Sequence, residues 1–430
     1  MILSSVRRYA RSNSGPFPEA ALPGWFAFLL ACISSVAPQE LLARPYPGIT
    51  GLVATADSAA TAGTNPAGIT RLGERSFEVE LMWFSSESTW ESSSSLTGQL
   101  GKSKNAGDTL VPRVFYVEPI SESLAFSFTV TGVGFSDDYG DWPGRYFIES
   151  YDSVYATALP SLAYRINEQW SVAGSAAITY SKFDQERRVA NIFDPGFGEG
   201  RSKLETDSIE FGFGVSALYE ASDRTRWGLA YNSEIDASRD GESDFSGLGP
   251  RTEAVMQRLG IIGANIEVQG TSPQSLLLGL YHEFLNDHAV TLDVAWVDFS
   301  NFRLSEYYFN GEAFAESDVD YDDAYAAAVS YTWPVSDRWM LGVGGLVTSQ
   351  LVDDDERTML LRLDAVWSAG VAAEWRWTDT RRVTASLSYL SFGDAPVTTE
   401  PIPGVGSIKG EFTSRDTVLL QVGISWGGGG

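Results

Sequence analysis

Along much of the chain, apolar and polar residues alternate one for one. In Thr417 to Trp426 (TVLLQVGISW), Val418, Leu420, Val422, Ile424 and Trp426 share one face, while Thr417, Leu419, Gln421, Gly423 and Ser425 share the other. Val290, Leu292, Val294 and Trp296 oppose Thr291, Asp293 and Ala295 in the same way, and Val383, Ala385, Leu387 and Tyr389 oppose Thr384, Ser386 and Ser388. From Leu363 to Trp377, Leu363, Ala365, Trp367, Ala369, Val371, Ala373 and Trp375 face Asp364, Ser368, Glu374 and Arg376 across the strand. A period of two belongs to a strand, because successive side chains point to opposite faces. Runs of about ten residues with an aromatic at one end suit strands that cross a membrane.

The connections alternate in length. Short polar turns are expected at EPISE (118–122), INEQ (166–169), ASDRT (221–225), LNDH (285–288), PVSDR (334–338) and TDTR (378–381). Between them fall long acidic or Gly-rich loops, near 85–108, 136–151, 184–206, 236–273, 300–322, 350–362 and 393–414. Short turns at one rim and long loops at the other mark outer-membrane barrels. The segments amount to about 14 strands, an even number that returns the chain to the short-turn rim. A soluble β-sandwich shares the alternation but not this asymmetry. Lipid offers a sheet edge no hydrogen-bond partner, so the sheet must close, and a barrel of this size has a lumen that something must occupy.

Composition agrees. Aromatics make up 13% of the 430 residues and there are 42 Gly, as in a Gly-punctuated β protein. The net charge of -26 argues against nucleic acid, which needs clustered Lys and Arg. Arg7, Arg8 and Arg11 precede an apolar run, Trp25 to Ala37, that is too short to span a bilayer as a helix. Residues 1–43 therefore read as an export signal, cleaved after Ala37 or Ala43; Pro38 disfavours the first. Cys32, the one cysteine, excludes an internal disulfide. It lies in LLAC, which looks like a lipoprotein processing box and also reads as part of the signal's apolar core.

NPAG, Asn65 to Gly68, follows an Ala-rich segment containing Asp57, and VPRVFYVEPISESLAFSF (111–128) and LPSLAYRINEQWSVAGSAAITY (159–180) come after it. FGVSALYEASDRTRWGLAYNSEI (213–235), LDVAWVDFSNF (292–302), VSDRWMLGVGG (335–345) and YLSFGDAPV (389–397) complete the series. With these fragments in order, the sequence resembles the long-chain fatty acid outer-membrane transporter family (FadL type, including aromatic hydrocarbon transporters). The resemblance covers essentially the whole mature chain. It implies an all-β, single-chain antiparallel transmembrane barrel of about 14 strands (76–426), whose lumen is plugged by an N-terminal hatch (44–75). Four glycines (427–430) follow Trp426, where barrels of this kind commonly end on the aromatic.

The implied function is passive passage of hydrophobic molecules, long-chain fatty acids or hydrocarbons, across the bacterial outer membrane. The implied partners are outer-membrane lipid and the barrel assembly machinery. The implied state is a monomer without cofactor, metal or catalytic residues. The alternative is a paralogue that carries nothing and serves assembly, secretion or surface attachment.

Residue by residue, Pro66 fixes its own φ and steers Asn65 away from the helical region, and Gly68 allows a left-handed conformation. NPAG is either an ordinary turn or, by resemblance, a gating element of Asp57, Asn65, Pro66, Ala67 and Gly68. Gly132 and Gly134, in TVTGVGF, mark a bulge or bend, or tight packing. In the family a kink in this strand opens a portal to lipid. Val255, Met256, Leu259 and Ile262 have helical spacing after an expected cap, and with Phe193, Phe197 and Phe245 they would gather apolar ligand at the outer loops. The runs DVDYDD (318–323) and DDDE (353–356) are solvated loop faces or oxygen-ligand sites. His282 and His288 sit at a short turn with no nucleophile beside them.

Overall fold

The computed structural model describes residues 50–51, 53–95, 101–302, 306–310, 312–315, 321–354, 357, 365–399 and 406–427. The expected signal, Cys32 and residues 428–430 lie outside them.

The strands are, in order, β1 (Ser76–Ser95), β2 (Lys102–Pro119), β3 (Leu124–Asp138), β4 (Ser150–Arg165), β5 (Trp170–Val189), β6 (Gly200–Ser222), β7 (Thr225–Asn232), β8 (Ile235–Ser246), β9 (Asn265–Ser272) and β10 (Ser275–Glu283). They continue with β11 (Ala289–Val297), β12 (Glu306–Phe309), β13 (Glu312–Ala315), β14 (Ala324–Ser336), β15 (Trp339–Thr348), β16 (Trp367–Thr378), β17 (Arg381–Ser391), β18 (Ala395–Thr398) and β19 (Ile408–Trp426). β7 and β8 are two parts of one stave, as are β9 with β10 and β17 with β18, while β12 and β13 prolong the β11/β14 pair. That leaves a closed antiparallel barrel of fourteen staves among the described residues. β1 pairs with β2 along one edge and with β19 along the other, from Phe77↔Trp426 upward, so the sheet closes on itself.

The alternation read from the sequence is the division between lipid and lumen. On β19, Val418, Leu420 and Val422 are exposed, whereas Thr417, Leu419 and Gln421 are buried. Aromatics border the outward band at both heights. Trp375 stacks on Trp339 and Trp377 near the short turns, and Trp367 packs on Tyr389 at the far side. Trp367 and Trp377 are ten residues apart on β16. That is about 34 Å along a strand, or roughly 26 Å of height at a tilt of about 40°, against an apolar band about 25 Å tall.

All six expected turns are short connections at one rim. The loops differ more. Several expected long loops are largely strand: β1 runs on to Ser95, β5 to Val189, and β6 begins at Gly200. Beyond the membrane the outer face meets water instead of lipid and turns polar, so the apolar alternation disappears while pairing continues. Lys182 bonds Asp184 at 2.7 Å, Arg201 bonds Glu186 at 3.4 Å, and Lys203 pairs with Glu205 on this extension. The one α-helix of the described residues, α1 (Pro250–Arg258), lies within the expected 236–273 loop.

Candidate functional site in the barrel lumen

The segment 50–72 follows a path that only the lumen can provide, because its partners are inward-facing residues of strands all around the wall. It forms two 3-10 turns, Ala59–Gly63 and Pro66–Arg71. Ser58 starts the first, accepting from the Ala60 amide, which also donates to buried Glu78 on β1 at 3.1 Å. Asn65 caps the second, with Pro66 at its first position, where a missing N–H costs nothing.

Asn65 does more than cap. Its Oδ1 accepts from the Ala67 amide at 3.2 Å, and its Nδ2 donates to Val53 O at 2.7 Å and to Ala217 O on β6 at 3.1 Å. The Ala67 amide is shared with Ser216 Oγ at 3.1 Å. Asn65 and Ala67 are fully buried and Pro66 and Gly68 are buried, while Asp57 is half-buried just ahead of the first turn.

Gly68 is not left-handed, contrary to the expectation. It is glycine because a Cβ there would lie 2.6 Å from Thr61 Cγ2 and 2.7 Å from Ala56 Cβ, so the two turns meet only without it. The wall yields in the same way at Gly228, whose Cβ would lie 2.0 Å from Val53 O.

Two residues invisible as a pair in the sequence clamp the start of the segment. Asp293 on β11 accepts from the Gly51 amide at 2.7 Å and the Val53 amide at 3.4 Å. Arg226 on β7 donates to Ala54 O at 3.1 Å and Thr55 O at 2.7 Å, its guanidinium 3.9 Å from the centre of the Tyr281 ring. Alternation placed Asp293 inward, but nothing in the chain said what it would meet. At the far end Arg165 donates to Thr70 O at 2.6 Å, Thr70 and Ser171 hydroxyls pair at 2.8 Å, and Arg71 is ion-paired with Glu220. Arg165, Ser171, Glu220 and Arg226 adjoin short turns, so the segment lies at the short-turn end of the lumen.

Above it lies a partly open cleft, about 590 Å³ of space not filled by protein atoms when the open solvent at its mouth is included, bounded by Ala62, Thr64 and Pro66 below and by β4, β5, β6 and the β7/β8 stave at the side. The adjoining wall has a seam. β2 and β3 pair only as far as Arg113↔Thr131. Beyond it β2 remains paired to β1 and β3 to β4 as far as Asp138↔Ser150, so residues 132–138 of β3 face β2 without a ladder. Gly132 and Gly134 begin this stretch, and Pro112, which has no N–H to offer, stands opposite. β3 carries no bulge against β4 at the two glycines. Tight packing does not explain them either, since their nearest Cβ neighbours would be at 3.7 and 3.6 Å.

At the mouth the 139–149 connection folds inward, with Tyr139, Trp142, Phe147 and Ile148 buried. Trp142 stacks on Tyr139 at 4.8 Å and meets Trp90 edge-on at 6.0 Å, and Trp90 packs on Phe412 at 4.7 Å. Arg145 holds Glu199 through two bonds of 2.9 and 2.6 Å, keeping its carboxyl below the usual range. Tyr146, desolvated and bonded to Glu199, is pushed up to about 12.

The neighbouring loop supplies the missing helix cap. Gly249 offers no side chain to α1, and Asp194 accepts from the amides of Arg251 and Thr252 at 2.9 and 2.8 Å. This brings the exposed Phe193 and Phe197 to the start of α1, with Phe245 half-buried on β8. Val255, Met256 and Ile262 are half-buried, and Leu259, 55% exposed, is at the helix's other end. Of the acidic runs, residues 318–320 and 355–356 lie outside the described residues, Asp323 accepts from Trp296 Nε1 at 2.9 Å, and Asp354 pairs with Arg357 at 3.0 Å. His282 pairs with Thr225 at 2.9 Å and His288 with Tyr331.

Residues 42–420 match the model of the family described as outer membrane protein transport protein (OMPP1/FadL/TodX). A long-chain fatty acid transport protein of Escherichia coli O6:H1 is 24% identical over 385 residues, covering 81% of this chain and 84% of that protein. Among solved structures, a FadL homologue of Pseudomonas aeruginosa superposes with a TM-score of 0.79 at 16% identity, over 88% of this chain and 96% of the other. The toluene transporter TodX of Pseudomonas putida does so with a TM-score of 0.61 at 14% identity, over 89% and 96%.

Proposed function

Since this chain belongs to the OMPP1/FadL/TodX family of outer membrane transport proteins, we propose that it carries hydrophobic small molecules, fatty acids or hydrocarbons, by passive diffusion through a gated lumen. It is a barrel of the bacterial outer membrane. The observation that supports the proposal is the coexistence of the 50–72 segment held inside the barrel, a cleft directly above it, and a β2/β3 seam at the same height. A general pore for polar solutes needs no plug, and a purely structural barrel needs neither cleft nor seam.

In this reading apolar ligand gathers at Phe193, Phe197, Phe245 and the α1 residues Val255, Met256, Leu259 and Ile262, then enters the cleft. Movement of the hatch around Asp57, Asn65, Pro66, Ala67 and Gly68 opens the way. Val111 and Val133, buried on the inner faces beside the seam, offer an apolar exit past Gly132 and Gly134. A hatch built from small residues and held by many single hydrogen bonds can shift without exposing a large apolar surface. E. coli cells lacking their own transporter of this family and expressing this chain should take up labelled oleate or toluene. Gly132→Trp, whose side chain would lie across the seam, should lower that uptake at equal surface abundance. Unchanged uptake would remove the lateral exit.

A further inference from the structure

The cleft has an unusual wall for an apolar cargo. Leu159 and Ile235 contribute hydrocarbon, but Thr157, Ser161, Ser175, Thr179, Asn232 and Ser233 also line it, and no Lys or Arg does. The lumenal guanidiniums are engaged elsewhere: Arg113 with Glu80 at 3.3 Å, Arg239 with Glu210 at 3.3 Å, and Arg226 with the carbonyls of the plug. A carboxylate in this cleft would lose its hydration and meet no cation, which is costly.

The hydroxyls are ordered by strand register. Thr131, Thr157 and Thr179 form one row across β3, β4 and β5, and the Thr157 and Thr179 hydroxyls bond at 3.0 Å. Ser127, Ser161 and Ser175 form a second row. The first row begins in the cleft and ends at Thr131, the last β3 residue paired with β2, at the threshold of the seam. Ser161, 3% exposed and lining the cleft, has no hydrogen-bond partner for its hydroxyl, and neither have buried Ser127, Thr129 and Ser153 on the same two strands. Buried hydroxyls are nearly always satisfied, because leaving one bare is unfavourable.

We propose that the cleft takes the polar group of a neutral hydrogen-bonding amphiphile, an alcohol or phenol, and that the hydroxyl rows hand this group toward the seam while the hydrocarbon lies on the apolar wall. A hydroxyl both donates and accepts, so Ser161 and its neighbours pair with such a group in either sense. The proposal rests on the transport reading and specifies its cargo.

The test uses transporter-deficient cells expressing the full chain, given labelled dodecanol, dodecane or dodecanoate at neutral pH. Dodecanol should enter roughly tenfold faster than dodecanoate, reflecting the cost of burying an unpaired carboxylate. Combined Thr157→Val, Ser161→Ala and Thr179→Val should lower the ratio of dodecanol to dodecane uptake roughly fivefold, the loss expected for one neutral hydrogen bond. Ser161→Ala alone deletes an oxygen that no protein group uses, so it reports in the same direction if the triple variant fails to assemble. Ser161→Lys should shift preference toward dodecanoate. Equal uptake of dodecanoate and dodecanol by the unaltered chain, or an unchanged dodecanol to dodecane ratio in the variants, would overturn the proposal while leaving transport standing. If none of the three enters, the transport reading falls and takes this proposal with it.

Discussion

Replacing Asn65 with alanine should release the plug without opening the barrel. The substitution removes both bonds of Nδ2, to Val53 O and Ala217 O, and the cap on the Ala67 amide. That amide keeps Ser216 Oγ, so its loss is small. Val53 O has no such substitute and is left bare in a site with no solvent access, a cost of about 1–3 kcal/mol, and the other bonds add about 1 kcal/mol. The sum, near ~3 kcal/mol, corresponds to roughly a hundredfold rise in the undocked population at about 1.4 kcal/mol per tenfold. β6 remains paired with β5 and β7, so the wall has no reason to change.

Hydrogen exchange on the purified barrel reads this directly, because locally opened segments exchange at rates set by their own opening free energy. Amides of 53–72 should exchange about a hundredfold faster and those of β5 to β7 at their former rate. Unchanged protection at Ala67 and Gly68 would refute the docking role of Asn65. Asn65→Asp should be no better, since an ionised carboxylate would face the two carbonyl oxygens that Nδ2 now serves.

Gly228→Ala should displace the same segment from the other side, at a cost of about 1–3 kcal/mol for overpacking, and raise exchange around Val53 and Asn65. Gly174→Ala, where a Cβ meets nothing within 4 Å, is the control expected to be silent. Asp194→Ala should fray α1 by about 1 kcal/mol, the usual worth of a helix cap, detectable as faster exchange in 250–258 alone. Glu199 titrates below its ordinary value because Arg145 and Tyr146 hold its charged form, so its contribution to outer-loop order is complete above pH of about 4.3 and fades as pH falls below that. Protection of 139–149 should therefore decline as pH falls below about 4.3, and Glu199→Gln should flatten that decline.

The barrel was legible because lipid on one side and a wet or packed lumen on the other force every spanning strand to alternate, as Val418 to Gln421 do. The turns were legible because six short polar clusters punctuate that pattern. Strand length was not. The extensions at 200–207 and 240–246 keep one inner face, with Ser202, Leu204 and Thr206 buried, but both faces are mostly polar, so no apolar period marks them and they read as loop although they pair. NPAG was recognised as special, yet its partners Val53, Ala217 and Ser216 belong to the fold and not to the neighbourhood in sequence. Arg226 and Asp293 looked like ordinary inward polar residues until the segment they hold was seen between them. Gly68 was read through its freedom of φ, when what mattered was the absent methyl. The glycines of β3 drew attention to that strand for a bulge, a bend or tight packing, but the feature beside them is a lost ladder with β2, a relation between two strands that neither reveals alone.

The clamp on the plug also orders assembly in time. The first part of the segment is held by residues of β6, β7 and β11, with sequence separations of 152 at Asn65–Ala217 and 242 at Gly51–Asp293. Contacts that distant form late, since closing the intervening chain must come first. The wall itself cannot close until β19 meets β1. The segment that emerges early is thus among the last to find its place, and it must stay out of a lumen that does not yet exist. Small, weakly apolar residues between Ala54 and Gly68 let it wait extended in water without collapsing or aggregating.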